Sequence, residues 1–166
     1  MKELLLQYAR YNHWANSRII EVLLSLDEEK LELPIASSFS TIKATVYHTW
    51  SAEFIWLQRL ELTEQPVWIA EEFNGSFAEA CAQWQKISQA IIDFVARQYD
   101  DRSFGHVLQY YNRQKKSFKT PVSDVLMHMF NHGTYHRGQL VTMLRQAGEK
   151  KIPGTDFISF AHNSKF

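Results

Sequence analysis

Apolar residues recur at steps of three and four along most of the chain, which is the spacing of one face of an α-helix. The first such stretch runs from about residue 3 to residue 25, with Ala15 and Ile19 among its apolar positions. A second helix is predicted to begin after Ser40, a residue type that caps helix starts well, and to end near Leu62. Its apolar residues lie on more than one face, so we expect it to be heavily buried.

A third helix and a hairpin follow. Ser76 and Glu79 have the spacing of a capping box, in which side chains and backbone donors at a helix start satisfy one another. This signal places the third helix at about residues 77–98. After it, Val107–Tyr111 and Ser117–Lys119 are predicted to pair as a short β-hairpin, although the turn between them contains no glycine.

The fourth helix is predicted from its two ends. Thr120 is expected to be its N-cap, with Pro121 in the first helical position, where the missing N–H has no cost. Gly148 fits the position just after the last turn. The tail from residue 151 to residue 166 contains three apolar residues that are expected to fold back onto the bundle: Phe157, Ile158 and Phe160.

Four helices of about 20 residues each predict an all-α four-helix bundle with a short β-hairpin before the last helix. Six glycines and four prolines are too few for a protein made of many strands. A chain of 166 residues with 45% hydrophobic residues is large enough for one core, so we expect a single domain over residues 1–166.

Charge and cysteine content exclude several classes of protein. Eighteen basic side chains balance eighteen acidic ones, which argues against a nucleic-acid-binding surface. The apolar stretches are a few residues long, far short of the about 20 needed to span a bilayer, and the N-terminus lacks a secretory signal. The single cysteine, Cys81, cannot form an internal disulfide, which favours a reducing, cytoplasmic setting.

Three of the seven histidines, His128, His132 and His136, are spaced four residues apart on the predicted fourth helix. Residues with this spacing lie one helical turn above each other, so two neighbouring imidazoles can reach one metal ion. Angular positions around the helix place His136 in the middle of the apolar stripe, His132 close to it and His128 at its margin. The pair His132 and His136 is therefore predicted to point into the bundle.

Two buried imidazoles need a polar partner, because a buried polar group without one loses its hydration energy. A divalent metal ion is such a partner, and a third ligand from another helix would complete the site. His48, near the middle of the second helix, is the best candidate, since Ala44 and Thr45 leave space on its face. The predicted site is mononuclear and has three neutral nitrogen ligands: His48, His132 and His136.

Other metal sites do not fit this spacing. A His-Glu-x-x-His metalloprotease needs its glutamate directly after the first ligand, where Gly133 stands. A ferritin-like di-iron bundle needs Glu-x-x-His pairs, and the chain has none. The sequence leaves open whether His128, His13 or His162 contributes to the site, and Glu53 and Asp156 are candidate acceptors for the second N–H of a ligating histidine.

Four segments of the chain resemble the DinB family. Residues 128–139 read HMFNHGTYHRGQ, residues 48–56 read HTWSAEFIW, residues 11–16 read YNHWAN and residues 153–157 read PGTDF. The likeness covers nearly the whole chain, and the block of residues 136–139 is its most specific part.

The resemblance implies a DinB-like four-helix bundle in which helices two and three run parallel, so that their connection is long. It also implies that one histidine of the second helix and two of the last bind a metal ion, which correspond here to His48, His132 and His136. Members are often homodimers, and some relatives act on small molecules with bacterial low-molecular-weight thiols. The family name refers to damage-inducible regulation, a stress response, and not to DNA binding.

Three neutral imidazoles leave the charge of a divalent ion uncompensated and leave coordination positions open. The sequence therefore predicts Lewis-acid chemistry on a small molecule, either thiol S-transfer or hydrolysis, with zinc or nickel as the expected metal. Two alternatives stay open. One is a non-catalytic, metal-stabilised helical module with a structural, sensing or stress-response role. The other is a partner-binding bundle whose histidines bond only to each other and to water.

Overall fold

Four long α-helices make up most of the computed structural model, which describes residues 1–112 and 114–163. These helices are α1 (Lys2–Leu23), α3 (Ile42–Leu60), α5 (Phe77–Arg97) and α6 (Val122–Gln146). Short helices lie between and after them: α2 (Glu28–Leu31), α4 (Ile69–Glu72) and α7 (Phe157–Asn163), with a 3-10 turn at Asp101–Gly105. No helix of the described ranges combines the length and the apolarity that a membrane crossing requires.

The four long helices pack as a bundle in which α1 and α3 each contact both α5 and α6. Apolar residues from the C-terminal halves of α3 and α5 share one core cluster, which includes Leu57 and Phe94. Residues from the N-terminal halves of the same helices share a second cluster, which includes Trp50 and Trp84. Helices α3 and α5 therefore run parallel, and the order of α1 and α6 through the two clusters is reversed. The predicted four-helix bundle with parallel second and third helices is confirmed.

A layer of buried polar residues separates the two apolar clusters. Each long helix contributes to this layer, at positions that lie between its residues in the first cluster and its residues in the second. We call it the central polar layer, and its members are Asn12 and Asn16 of α1, Glu53 of α3, Ser88 of α5 and Arg137 of α6.

The predicted hairpin is confirmed, because strand β1 (Val107–Tyr111) pairs antiparallel with strand β2 (Ser117–Pro121). The second strand is two residues longer than expected. Thr120 pairs with Leu108 in the ladder and so is not the N-cap of the last helix. Pro121 takes that position, and α6 begins at Val122, whose N–H donates to the carbonyl oxygen of His106.

Three other predicted helix ends are tested by their hydrogen bonds and dihedral angles. Thr41, and not Ser40, caps α3, because its Oγ1 accepts from the N–H of Ala44 at 3.0 Å. The capping box of Ser76 with Glu79 is present as predicted. Gly148 follows α6 with a φ of 89°, a left-handed conformation that favours glycine.

The C-terminal segment folds back onto α1, as the tail pattern predicts. Phe160 is buried with Tyr11 and Ala15, and the ring of Phe157 stacks on Tyr8 at 4.9 Å. The expectation for Ile158 is wrong, since it is 60% exposed. Ile158 lies between the partly buried Phe157 and the buried Phe160, and a helix that packs on one face turns such an intermediate position outward. Residues 164–166 of the predicted tail lie outside the described residues.

Candidate metal centre

The three histidines that the sequence analysis selects come together between α3 and α6. Nε2 of His132 lies 3.1 Å from Nε2 of His48 and 3.1 Å from Nε2 of His136. One ring nitrogen from each of the three residues lies within 4.8 Å of the other two. The structure thus places the predicted ligands in one cluster; that they bind a metal ion stays a prediction at this point.

Hydrogen bonding alone does not account for this cluster. Gln139 Oε1 only accepts, so His136 donates to it from Nδ1 at 2.7 Å and keeps a lone pair on Nε2. Nε2 of His132 carries either one hydrogen or one lone pair, and can direct it at only one of its two neighbours. At most one of the two 3.1 Å contacts is therefore a full hydrogen bond, and the other needs a different partner.

The separations fit a shared metal ion. Imidazole nitrogens bound to one zinc ion at about 2.0–2.1 Å lie about 3–3.4 Å from each other. Both 3.1 Å contacts of His132 fall within that range. A cation between the nitrogens would also remove the repulsion between lone pairs that face each other. The three residues therefore fit a divalent metal ion as ligands.

Protonation of the histidines does not explain the second 3.1 Å contact of His132 either. Burial, together with the neighbouring His136, His48 and His128, lowers the pKa of His132 to about 3. Burial also lowers the pKa of His136, against the opposing effect of its hydrogen bond to Gln139. His132 is therefore neutral at pH 7, the form in which imidazole binds metals.

The orientation of His136 is fixed by a residue that the sequence analysis did not select. Gln139, one turn further along α6, accepts from Nδ1 of His136 and donates from its own Nε2 to Oγ of Ser38 at 2.6 Å. Glu53, predicted to have this orienting role, does not have it, because its oxygens accept from the side chains of the central polar layer. For Asp156 the same role stays a prediction.

Aromatic side chains surround the cluster. The ring of Phe39 stacks on His48 at 4.2 Å and lies 5.8 Å from His136, and the ring of Trp68 lies 5.6 Å from His48. Phe39, Tyr47 and Trp68 also line a cavity of about 580 Å³ whose wall includes His48. Phe39 and Trp68 lie in connections between helices, where hydrophobic periodicity gives no signal, so the sequence analysis missed them.

The other candidate histidines are not part of the cluster. The exposed His128 lies one turn before His132, with 5.7 Å between their ring centroids, and its ring packs against Trp56. Within the described residues, His13 and His162 also contribute no nitrogen to it. Three histidines from two helices form the candidate centre.

The central polar layer shares two helices with the candidate metal centre, because Glu53 follows His48 on α3 and Arg137 follows His136 on α6. Nη1 of Arg137 donates to Oδ1 of Asn12 at 2.6 Å and to Oδ1 of Asn16 at 2.8 Å. Nδ2 of each asparagine in turn donates to Oε1 of Glu53, at 2.7 and 2.9 Å. Ser88 donates to the other oxygen, Oε2 of Glu53, at 2.8 Å. A buried guanidinium and a buried carboxylate are thus joined through two asparagines.

Gly133 makes room for this layer. A Cβ atom at this position would lie 2.7 Å from Oδ1 of Asn12 and 2.9 Å from Nη1 of Arg137. At Gly138, on the other side of His136, a Cβ atom would meet nothing within 4 Å. The first glycine is therefore required by the close approach of α1 to α6, and the second is not.

Comparison with known proteins agrees with this fold. The family model described as the DinB family matches residues 1–164. The protein DinB of Bacillus subtilis (strain 168) is 30% identical over 167 aligned positions, which cover 95% of this chain and 93% of the relative. The uncharacterized protein YrdA of the same organism is 28% identical over 136 positions, which cover 81% of this chain and 77% of the relative.

Two solved structures share the fold. A DinB-like protein of Bacillus cereus ATCC 10987 superposes with a TM-score of 0.72 at 24% identity, covering 92% of this chain and 95% of its own. YfiT of Bacillus subtilis, described as a probable metal-dependent hydrolase with an unusual four-helix bundle topology, has a TM-score of 0.69 at 14% identity, covering 90% and 91%. The family model and the curated relative extend over nearly the whole chain and confirm the resemblance; this chain belongs to the DinB family.

Proposed function

We propose that the chain is a metal-dependent enzyme in which His48, His132 and His136 hold a divalent ion, zinc or nickel, that acts as a Lewis acid on a small molecule. The observation that carries the proposal is the pair of 3.1 Å contacts at Nε2 of His132, of which hydrogen bonding explains at most one. The fold likeness to YfiT, described as a probable metal-dependent hydrolase, supports the same class of function.

The ligand set suits catalysis. Three neutral imidazoles from two helices leave the charge of a divalent ion uncompensated and leave part of its coordination sphere to solvent or substrate. When bound, such an ion supplies Lewis-acid chemistry by acidifying a water or a thiol and polarising a carbonyl. Gln139 holds the ring of His136 in one tautomer, so the lone pair on Nε2 faces the centre before any ligand arrives.

A cavity against His48, one of the three proposed ligands, supports a small-molecule substrate. Its volume of about 580 Å³ falls within the usual range of ligand pockets, about 300–1,000 Å³. Phe39, Tyr47 and Trp68 give it a largely aromatic wall, to which Glu71 also contributes. This wall suits an organic substrate with an apolar part.

Two reactions are compatible with the centre, thiol S-transfer and hydrolysis. The chain does not supply a thiol itself, because Cys81 is buried in the apolar core and burial raises its pKa to about 12. In a transfer reaction the thiol would therefore come from a low-molecular-weight co-substrate, as in some relatives of the family. Hydrolysis needs only water, and the description of YfiT supports it.

Metal analysis of protein purified without a histidine tag tests the proposal. We expect about one equivalent of zinc or nickel per chain, with loss of the metal in His48→Ala. A matched variant is His128→Ala, which removes a neighbouring imidazole outside the cluster and should keep the metal. Equal metal content in all three proteins, or none in any, would contradict the proposed centre.

An assay panel separates an enzyme from a structural metal site. Thiols paired with electrophiles, and esters and amides, are incubated with the metal-loaded protein and with His48→Ala. Turnover that depends on the metal supports the enzyme, and its substrate class identifies the reaction. Three results together would favour the non-catalytic module: the metal is bound, no substrate reacts, and added azide or thiol leaves the spectrum of the cobalt-loaded protein unchanged.

The proposal includes two partners. One is the small-molecule substrate, with a low-molecular-weight thiol in the case of transfer. The other is a second copy of the chain, since family members are often homodimers. Light scattering at several protein concentrations tests the homodimer, and a constant monomer mass would exclude it.

A further inference from the structure

The two helices that carry the histidines also carry the two buried charges of the central polar layer. Glu53 follows His48 by five residues on α3, and Arg137 directly follows His136 on α6. Both charged side chains are at least nine-tenths buried, at 2% exposure each. They are not in direct contact through a salt bridge; Asn12 and Asn16 of α1 connect them.

We propose that four residues of the central polar layer, namely Glu53, Asn12, Asn16 and Arg137, form a positioning unit for the three-histidine centre. It sets the rotation of α3 and α6 so that His48 faces His132 and His136 before a metal ion binds. This inference rests on the proposed metal centre.

The hydrogen bonds restrict rotation of α6 in particular. Successive residues in a helix differ by about 100° around its axis, so the direction of Arg137 determines that of His136. Nη1 of Arg137 donates to two asparagines that stand one turn apart on α1, at 2.6 and 2.8 Å. A rotation that moved His136 away from the centre would break both hydrogen bonds. The buried guanidinium would keep only its hydrogen bond from Nη2 to Oγ1 of Thr134, which lies on α6 itself and does not restrain its rotation.

The same asparagines hold α3. Each uses its Nδ2 to donate to Oε1 of Glu53 and its Oδ1 to accept from Arg137, so each amide has one orientation only. A shift of α3 along or around its axis would separate Glu53 from both donors. Because His48 is on the same rigid helix, the position of its ring follows the position of Glu53.

Stability alone is a weak reason for such a layer. Burying a carboxylate and a guanidinium removes them from water at a cost that their attraction often does not exceed, and apolar residues of similar volume are frequently as stable. What apolar residues do not provide is direction, since apolar packing tolerates rotation better than paired hydrogen bonds. Gly133, where a Cβ atom would collide with Asn12 and Arg137, shows that α1 and α6 are fitted closely around this contact.

The test compares zinc affinity with stability in the full chain. Asn12→Ala removes one bridge between α3 and α6 and keeps a good helix former. Ser88→Ala is the matched control, because Ser88 lies on α5, which carries no histidine of the centre. Ser88 donates to Oε2 of Glu53 and accepts from Nδ2 of Asn16, and its replacement removes these two bonds but none of the four that form the asparagine bridges between Glu53 and Arg137. For each protein we measure zinc affinity by chelator competition, the visible spectrum of bound cobalt, and urea unfolding without metal.

We expect Asn12→Ala to bind zinc about 10-fold or more weakly than the unchanged chain and to alter the cobalt spectrum, as is typical when residues that orient metal ligands are removed. Ser88→Ala should keep its zinc affinity within about twofold even where it loses as much stability, because it leaves both bridges in place. Arg137→Met should show the larger effect of removing both bridges. If Arg137→Met does not fold, Asn12→Ala and Asn16→Ala decide the question.

The outcomes separate this inference from the proposed function. The positioning role would be overturned if Asn12→Ala and Asn16→Ala fold and bind zinc as tightly as the unchanged chain. That result would leave the metal centre intact. Equal losses of affinity in Ser88→Ala and Asn12→Ala would also overturn it, because the effect would then follow stability. An unchanged chain that binds no metal would refute the proposed centre itself.

Discussion

His136 and Gln139 form a hydrogen bond of 2.7 Å between Nδ1 and Oε1, one turn apart on α6. The bond holds the imidazole in the tautomer whose Nε2 faces His132, and a second bond from Gln139 to Ser38 fixes the amide in turn. Gln139 and Ser38, which lie outside the cluster, thus fix the tautomer and the ring orientation of one of the three candidate ligands.

Replacing Gln139 should weaken metal binding without unfolding the protein. In Gln139→Leu the ring of His136 loses its acceptor, and we expect zinc affinity to fall about 10–100-fold. Gln139→Glu should retain or raise the affinity, because a carboxylate is a stronger acceptor for the Nδ1 hydrogen. Chelator competition measures both, with Gln146→Leu at the exposed end of α6 as the control. A Leu variant with unchanged affinity would show that the hydrogen bond has no orienting role.

The two glycines that flank His136 should respond in opposite ways to alanine. Gly138→Ala meets no neighbouring atom and should stabilise the protein by about 0.5–1 kcal/mol, because alanine favours helices more than glycine does. Gly133→Ala would place a Cβ atom 2.7 Å from Oδ1 of Asn12 and should be destabilising. Urea unfolding of the two variants at pH 7 checks the sign. Stabilisation by both would mean that α1 and α6 separate easily at the central polar layer.

The capping box at the start of α5 should make stability depend on pH. Hydrogen bonds from the backbone and side chain of Ser76 lower the pKa of Glu79. A carboxyl group whose pKa is lower in the folded state stabilises the protein above its unfolded pKa, about 4.3, and this contribution is lost as the pH falls through the lower folded value.

Glu79→Gln isolates this effect. The variant should be less stable than the unchanged chain at pH 7, and the difference in urea midpoint should shrink as the pH falls below about 4. Ser76→Ala should cost about 0.5–2 kcal/mol at pH 7 through loss of the cap. A difference between Glu79→Gln and the unchanged chain that stays constant from pH 7 to pH 3 would exclude the charged hydrogen bond as its cause.

Cys81 should be inert to thiol reagents in the folded protein. It is fully buried, and burial raises its pKa to about 12, so the reactive thiolate is absent at neutral pH. We expect no reaction with a colorimetric disulfide at pH 8 and complete reaction in urea. Cys81→Ala should keep zinc affinity unchanged, because the thiol lies in the second apolar cluster and outside the metal centre. Rapid labelling of the native protein would contradict the packing of α5.

The elements that the sequence predicts well are those with a local or periodic signal. The apolar spacing along α6 placed His132 and His136 on the buried face, and the capping box of Ser76 fixed the start of α5. The boundary at Thr120 was wrong because strand pairing with Leu108 competes with helix capping at that residue. Local sequence does not show which of the two interactions prevails.

The residues that the sequence analysis missed depend on contacts between distant segments. Asn12 and Asn16 have helical spacing on a buried face, a signal of a polar contact, but their partners Glu53 and Arg137 lie 37 and 121 residues away in the closest pairs. Phe39 and Trp68 have no periodic signal at all, and only the path of the connections brings them to His48.

The parallel course of α3 and α5 has a consequence for the wall of the cavity. After α3 the chain must travel back along a helix of 19 residues, about 28 Å, before α5 can begin beside its start. The connection between α3 and α5 therefore runs along the outside of α3. There the N–H of Ala70 donates to Oγ of Ser51, and the ring of Trp68 packs against the ring of His48. In a bundle whose neighbouring helices all alternate in direction, a short turn would replace the return path. His48 would then keep Phe39 but lose Trp68 as an aromatic neighbour.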